Sequence, residues 1–164
     1  MHTRRVAVLI LAVCAGPAAA QNDSCTPYPE AFAQGFYRSD YAFFNEPPEQ
    51  LRKLVAPELL ELLQRERRCA ERHGGCRLHL DPWLGGTDGS IGYPQQFHRE
   101  SQEASAAVVA MSYPLTTTGA QPARTNTVRL TLRKAPASGC WQVQDFVTPT
   151  GESLLQMLGP PGQP

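Results

Sequence analysis

Apolar and aromatic positions recur at helical spacing through the first half of the chain and at a spacing of two through the last third. Phe32, Phe36 and Phe43 share one helical face behind Tyr28, and Thr26-Pro27 opens the segment with proline near its first turn. This predicts a helix from about Tyr28 to Phe44, broken by Asn45 to Pro48. From Leu51 the apolar residues fall at 51, 54, 55, 59, 62 and 63, the stripe of a helix packed on one side. Pro57 lies within that stripe and either kinks one helix or starts a second, and Ala56-Pro57-Glu58 fits a second start at about Pro57. Charges of both signs follow from Arg65 to Arg72, and Gly74-Gly75 ends the helix.

Leu80 to Pro94, rich in Gly, Asp and Pro, has neither period and reads as a long loop. Beyond it, Val128, Leu130 and Leu132 alternate with Thr127, Arg129, Thr131 and Arg133, a strand with one wet face. Ala104 to Tyr113 is apolar on both faces and fits a more central strand. Trp141, Val143 and Val147 alternate with Gln142 and Gln144 in a third, and Gln95 to Glu100 is a weakly patterned fourth. Gly119 and Ser138-Gly139 mark turns. Gly151-Glu152-Ser153 leads into a short helix, Leu154 to Leu158, before a Pro/Gly tail, residues 159–164, expected to be mobile. Helices first and an antiparallel meander after them predict an α+β fold: N-terminal helices packed on a curved antiparallel sheet of about three to four strands, with a short C-terminal helix.

The N-terminus carries a different message. Arg4 and Arg5 precede the apolar run Val6 to Val13, too short to span a bilayer, and Ala18-Ala19-Ala20 supplies an A-x-A cleavage site before Gln21. Residues 1–20 therefore read as a secretory signal peptide and residues 21–158 as a single domain, periplasmic or secreted. Cys14 is preceded by Val13 rather than a small residue, which argues against a lipoprotein signal. No later run is apolar enough for membrane insertion after signal cleavage. Removing Arg4 and Arg5 from 15 basic residues leaves 13 against 15 acidic ones. That balance gives no basic field for nucleic-acid or anionic-lipid partners.

Export changes the meaning of the cysteines. Cys25, Cys69, Cys76 and Cys140 remain after cleavage, an even number in an oxidising compartment, which predicts two disulfides. The His73-Gly74-Gly75 turn lets Cys69 pair locally with Cys76, leaving Cys25 for Cys140, although three connectivities are possible. The set Cys69, His73, Cys76 and His79 resembles zinc ligands in residue type, but its spacing matches no established finger and both thiols would have to be reduced.

Two further groups can carry chemistry. Simple alternation puts Asp145 on one face with Trp141, Val143 and Val147, toward the helices, where a buried carboxylate would serve as general base or ligand contact. The alternative is a bulge that turns Asp145 outward, or a role capping a backbone amide. The loop DPWLGGTDG places Asp81, Trp83, Thr87 and Asp88 around Gly85-Gly86 and can close on a ligand; otherwise Trp83 plugs the core while the aspartates make local turns. It lacks calcium-loop spacing, and nothing calls for a cofactor. No nucleophile elbow or phosphate-cradling glycine motif is present, and His98 has no sequence-visible partner.

DPWLGGTDG, the strands Ala104 to Tyr113 and Val128 to Arg133, and GCWQVQDFVTPTGESLLQML together resemble exported bacterial proteins of unknown function in the nuclear-transport-factor-2-like superfamily. The features that carry the resemblance are a Trp-x-Val-x-Asp strand, a turn and a Ser-Leu helix, matched by Trp141, Val143, Asp145, Ser153 and Leu154, with Gly35-Phe36-Tyr37 in the opening helix. The resemblance implies a cone of curved sheet around the N-terminal helices with a pocket at its mouth, in which Asp145 and the Asp81 to Asp88 loop are candidates. The four cysteines and the interruption at Pro57 depart from that pattern. The functional expectation is a non-catalytic domain that binds a small ligand or an envelope protein, as an inhibitor or immunity-type factor. The alternative is a small hydrolase or isomerase using Asp145, and a weaker one a zinc protein.

Overall fold

The computed structural model describes residues 25–116 and 124–159. The expected signal peptide, the expected turn at Gly119 and residues 160–164 of the tail lie outside them. The fold is α+β, with helices first, a curled antiparallel sheet, and a short helix last. α1 spans Pro29–Ser39, a 3-10 turn Phe43–Asn45, α2 Pro48–Leu51 and α3 Pro57–His73. The sheet follows as β1 Ser90–Ile91, β2 Gln96–Gln102, β3 Ala106–Thr116, β4 Arg124–Lys134 and β5 Trp141–Val147, and α4 is Leu154–Leu158.

The first helix is shorter than its apolar period predicts. It stops at Ser39, and Phe43 reaches the core from the 3-10 turn instead. The aromatic spacing is satisfied in both geometries because Phe36 and Phe43 still meet, with centroids 5.2 Å apart. The stripe from Leu51 onward also divides. α2 already covers Pro48–Leu51, a turn through Leu54 follows it, and Val55 and Ala56 run beside β5, where Ala56 N–H donates to Val143 O at 2.9 Å and Val143 N–H to Leu54 O at 2.8 Å. A new helix starts at Pro57, whose missing N–H costs nothing at a helix N-terminus. Gly74, at φ 74°, ends it in the left-handed conformation that residues with a side chain adopt at a cost.

β3 is the spine of the sheet. It pairs with β4 along one edge and with β1 and β2 along the other, and β5 follows β4. Ala107, Val109, Met111 and Tyr113 of β3 face inward with Val128, Leu130 and Leu132 of β4, and Phe32, Phe36, Leu59 and Leu63 of the helices close over them. The loop predicted for Leu80 to Pro94 contains β1, too short for a period to register. The edge of β5 is covered at Val143 by Val55 and at Val147 by Ser153, so the edge carries few open backbone groups. Gln142, predicted wet, is buried and its Nε2 donates to Arg52 O at 3.0 Å.

Two disulfides connect this frame, Cys25 with Cys140 and Cys69 with Cys76. The first joins the segment before α1 to the start of β5, and the second closes the turn after α3. At the far end α4 is held by arginines. Arg77 Nη1 donates to Leu158 O at 2.8 Å, and Arg65 Nη2 donates to Gly159 O at 3.0 Å and also to Leu158 O. Cations on the open carbonyls of a helix C-terminus complement its dipole. Among the described residues no helix is long and apolar enough to cross a membrane.

Candidate ligand-binding groove

Alternation along β5 fails at Gln144. Leu132 pairs with Val143 but Thr131 pairs with Asp145, so one extra residue bulges out of β5 and the parity inverts beyond it. Phe146 takes the inward position and is fully buried, and Asp145 turns to the other face with Thr131. The inward carboxylate of simple alternation is corrected, and the alternative reading of the sequence, a bulge that turns Asp145 outward to cap backbone amides, is what the structure holds. Asp145 instead organises the approach to α4: its Oδ2 accepts from Ser153 Oγ at 2.6 Å, and its Oδ1 accepts from Leu155 N–H at 3.1 Å and Phe146 N–H at 2.8 Å. Ser153 in turn caps Gln156 N–H at 3.3 Å.

The loop at 81–89 is closed rather than open. Asp81 Oδ1 accepts from Trp83 N–H at 2.8 Å, Gly85 N–H donates to Asp81 O at 2.8 Å, and Asp81 N–H donates to Gly86 O at 2.9 Å. These bonds make a compact turn that drives Trp83 into the core. Its ring stacks on Tyr41 at 5.7 Å and meets Phe146 edge-on at 4.7 Å, while Nε1–H donates to Tyr41 O at 2.8 Å. Tyr113 OH closes the arrangement on Trp83 O. Asp81 Oδ2 accepts from Tyr41 OH at 2.8 Å. Asp88 is exposed, Asp145 lies on the opposite sheet face, and the two do not share a pocket with Trp83.

Burial raises the Tyr41 phenol well above the usual tyrosine range, and its hydrogen bond to Asp81 adds to the shift. Burial raises Tyr113 likewise, and Tyr37 by burial followed by the nearby Tyr93 and Asp81. A phenol with a raised folded pKa stabilises fully below the unfolded value of about 10 and loses that contribution as pH climbs through the folded value. Above about pH 10, therefore, the phenolate absorbance of Tyr37, Tyr41 and Tyr113 and loss of circular dichroism should rise together in one cooperative step. Smooth ionisation of all five tyrosines with the circular dichroism intact would contradict this packing.

Open space lies beside Asp81. A groove of about 650 Å³ runs between α3 and the segment that returns after Gly74. Glu66, Arg67, Ala70 and Glu71 form its helical wall, and Leu78 and His79 face them. Phe44, Leu80, Asp81 and Thr87 close one end. The wall is held in place at two points: the Cys69–Cys76 bridge, and Glu66 Oε1, which accepts from Leu78 N–H at 2.6 Å. Arg67 Nε rests on Glu71 Oε1 at 3.1 Å, and His79 Nδ1 lies 2.9 Å from Arg77 O.

Of the residues singled out from the sequence, Asp81, Thr87, Cys76 and His79 come to this groove. Asp88, Asp145 and His73 do not, and Trp83 is buried in the core. Cys69 and Cys76 are bonded to one another, and among the described residues no cluster of His, Cys, Asp and Glu could hold a metal ion. His98 sits on the outer sheet face with Nε2 3.9 Å from Glu100 Oε1. Glu66, Arg67, Glu71 and Phe44 were not singled out from the sequence, because a mixed charge run past the apolar stripe has the pattern of a solvated helix face. The one available signal was Cys69-x6-Cys76: pairing those residues folds the chain back along the same face.

No family model matches the chain, and comparison with curated proteins and with solved structures found no match.

Proposed function

We propose that this chain is an exported, disulfide-stapled binding domain, built on the plan of the superfamily its motifs resemble, and that the groove beside α3 receives its ligand or protein partner. The observation that carries the reading is the contrast between Asp145 and the groove. Both carboxylate oxygens of Asp145 are occupied by α4 and the β5 bulge, which suits a structural cap better than a base. The groove has a volume in the range of small-molecule sites, apolar and charged walls, and a disulfide fixing its rim. The signal-like N-terminus and the two disulfides support export.

Native mass spectrometry of the mature protein after exposure to envelope extract of its host tests this. Wild type should carry a bound species that Ala70→Trp, which fills the groove, excludes, and that Asp145→Asn retains at lower thermal stability. The protein recovered should begin at Gln21 with no free thiol. No bound species, or one indifferent to Ala70→Trp and lost with Asp145→Asn, would overturn the proposal.

A further inference from the structure

We infer that the groove takes a cation with an apolar body, a Lys- or Arg-bearing peptide segment; this rests on the groove being the binding site. Glu66, Glu71 and Asp81 line the groove against a single cation, Arg67, and that guanidinium lies 3.1 Å from Glu71 Oε1. An anion entering the cavity meets a net negative lining with its one positive group engaged, whereas a cation is attracted along the whole helical wall.

Hydrogen-bonding capacity points the same way. Asp81 has both oxygens occupied, by Tyr41 OH and Trp83 N–H, so it contributes charge rather than a contact. Glu66 has one oxygen on Leu78 N–H, leaving acceptor capacity on the other. With Nδ1–H of His79 directed at Arg77 O, the neutral ring has its lone pair on Nε2, a further acceptor. A groove rich in spare acceptors is matched by an ammonium or guanidinium, which carries donors only.

The apolar walls specify the rest of the ligand. Phe44, Ala70, Leu78 and Leu80 face the same space. A bare polyamine offers them only its methylene spacers, whereas a peptide adds to the stem of its lysine or arginine the apolar side chains that neighbour it. Phe44 also offers an aromatic face on which a cation can sit.

The test uses the full mature chain with its disulfides formed and three probes: acetyl-Leu-Lys-Phe-amide, its counterpart with Glu in place of Lys, and spermine. Amide chemical-shift mapping locates each probe and titration ranks them. The Lys peptide should move the amides of Ala70, Leu78 and Thr87 and bind about tenfold more tightly than the Glu peptide. Glu66→Gln with Glu71→Gln should weaken it about fivefold and flatten its salt dependence, since each exposed pair contributes modestly. Equal or tighter binding of the Glu peptide at the groove overturns the cationic inference and leaves the groove reading standing. Spermine matching the Lys peptide overturns the requirement for an apolar body. Groove amides unmoved by every probe overturn both readings.

Discussion

Trp83→Ala should lower stability by about 4 kcal/mol, among the largest effects of any single substitution in this chain. Trp83 is fully buried, and its ring meets Phe36, Tyr37, Tyr41, Phe43 and Phe146 at centroid distances from 4.7 to 6.3 Å. Truncation removes the transfer energy of an indole and leaves a cavity bounded by rings on α1, the 3-10 turn and β5, three elements that cannot collapse together. It also leaves Tyr41 O without the indole N–H donor, a further cost for a part-buried carbonyl. Domains of this size are held by about 5–15 kcal/mol, so the variant should sit near its unfolding threshold. Denaturant titration should show a lower midpoint with an unchanged slope, and Trp83→Phe should recover roughly half of the loss by refilling most of the volume. A Trp83→Ala penalty under about 1 kcal/mol would mean that the loop does not anchor the core.

Replacing Cys25 and Cys140 together by serine should cost about 3–5 kcal/mol, more than the same change at Cys69 and Cys76. The two bridges differ in the chain they close: Cys25 and Cys140 are 115 residues apart and Cys69 and Cys76 only 7. A cross-link restricts the unfolded ensemble in proportion to the logarithm of the loop it closes, about 5 kcal/mol for the long loop and about 2.5 for the short one before strain is subtracted. The folded state contributes as well, because the long bridge fastens the N-terminal segment beside the start of β5. Urea titrations of the two double variants, with mass measurement of the remaining bridge, read the difference. Equal losses, or the larger loss from the short bridge, would place the stabilisation in folded contacts rather than in chain entropy.

The groove places the short bridge in a different role. Losing Cys69–Cys76 should remove the smaller share of stability and free the segment that carries Leu78 and His79 from its covalent tie, so on the proposed reading its distinctive effect falls on ligand affinity. On the proposed reading, stability rests mainly on the long bridge, which fastens the chain to β5, and the shape of the groove on the short one.

Much of the fold was legible because its signals are local. The period-two alternation of β4, the helix start at Pro57 and its stop at Gly74, and the bounds Leu154 to Leu158 of α4 each depend on residues within a few positions of one another. The end of α1 was not: Tyr41 leaves the helical path where its hydroxyl meets Asp81, forty residues away in sequence. The same holds for Val55 and Ala56, which follow an apolar spacing that fits a helix and instead run beside β5, which offers hydrogen bonds there.

The candidate site follows this division. Sequence by itself determined the α+β class, the order of its elements, the parity of β4, and a cysteine spacing that suits one local and one long bridge. Those properties follow from period, turn chemistry and covalent reach. Tertiary structure decided the roles of the acids. One residue bulged at Gln144 exchanged Asp145 for Phe146 on the inner face, and a turn around Asp81 carried Trp83 into the core. A charge run on α3 became a groove wall once the chain had doubled back across it. Register and doubling back depend on partners distant in sequence, so no local pattern encodes them.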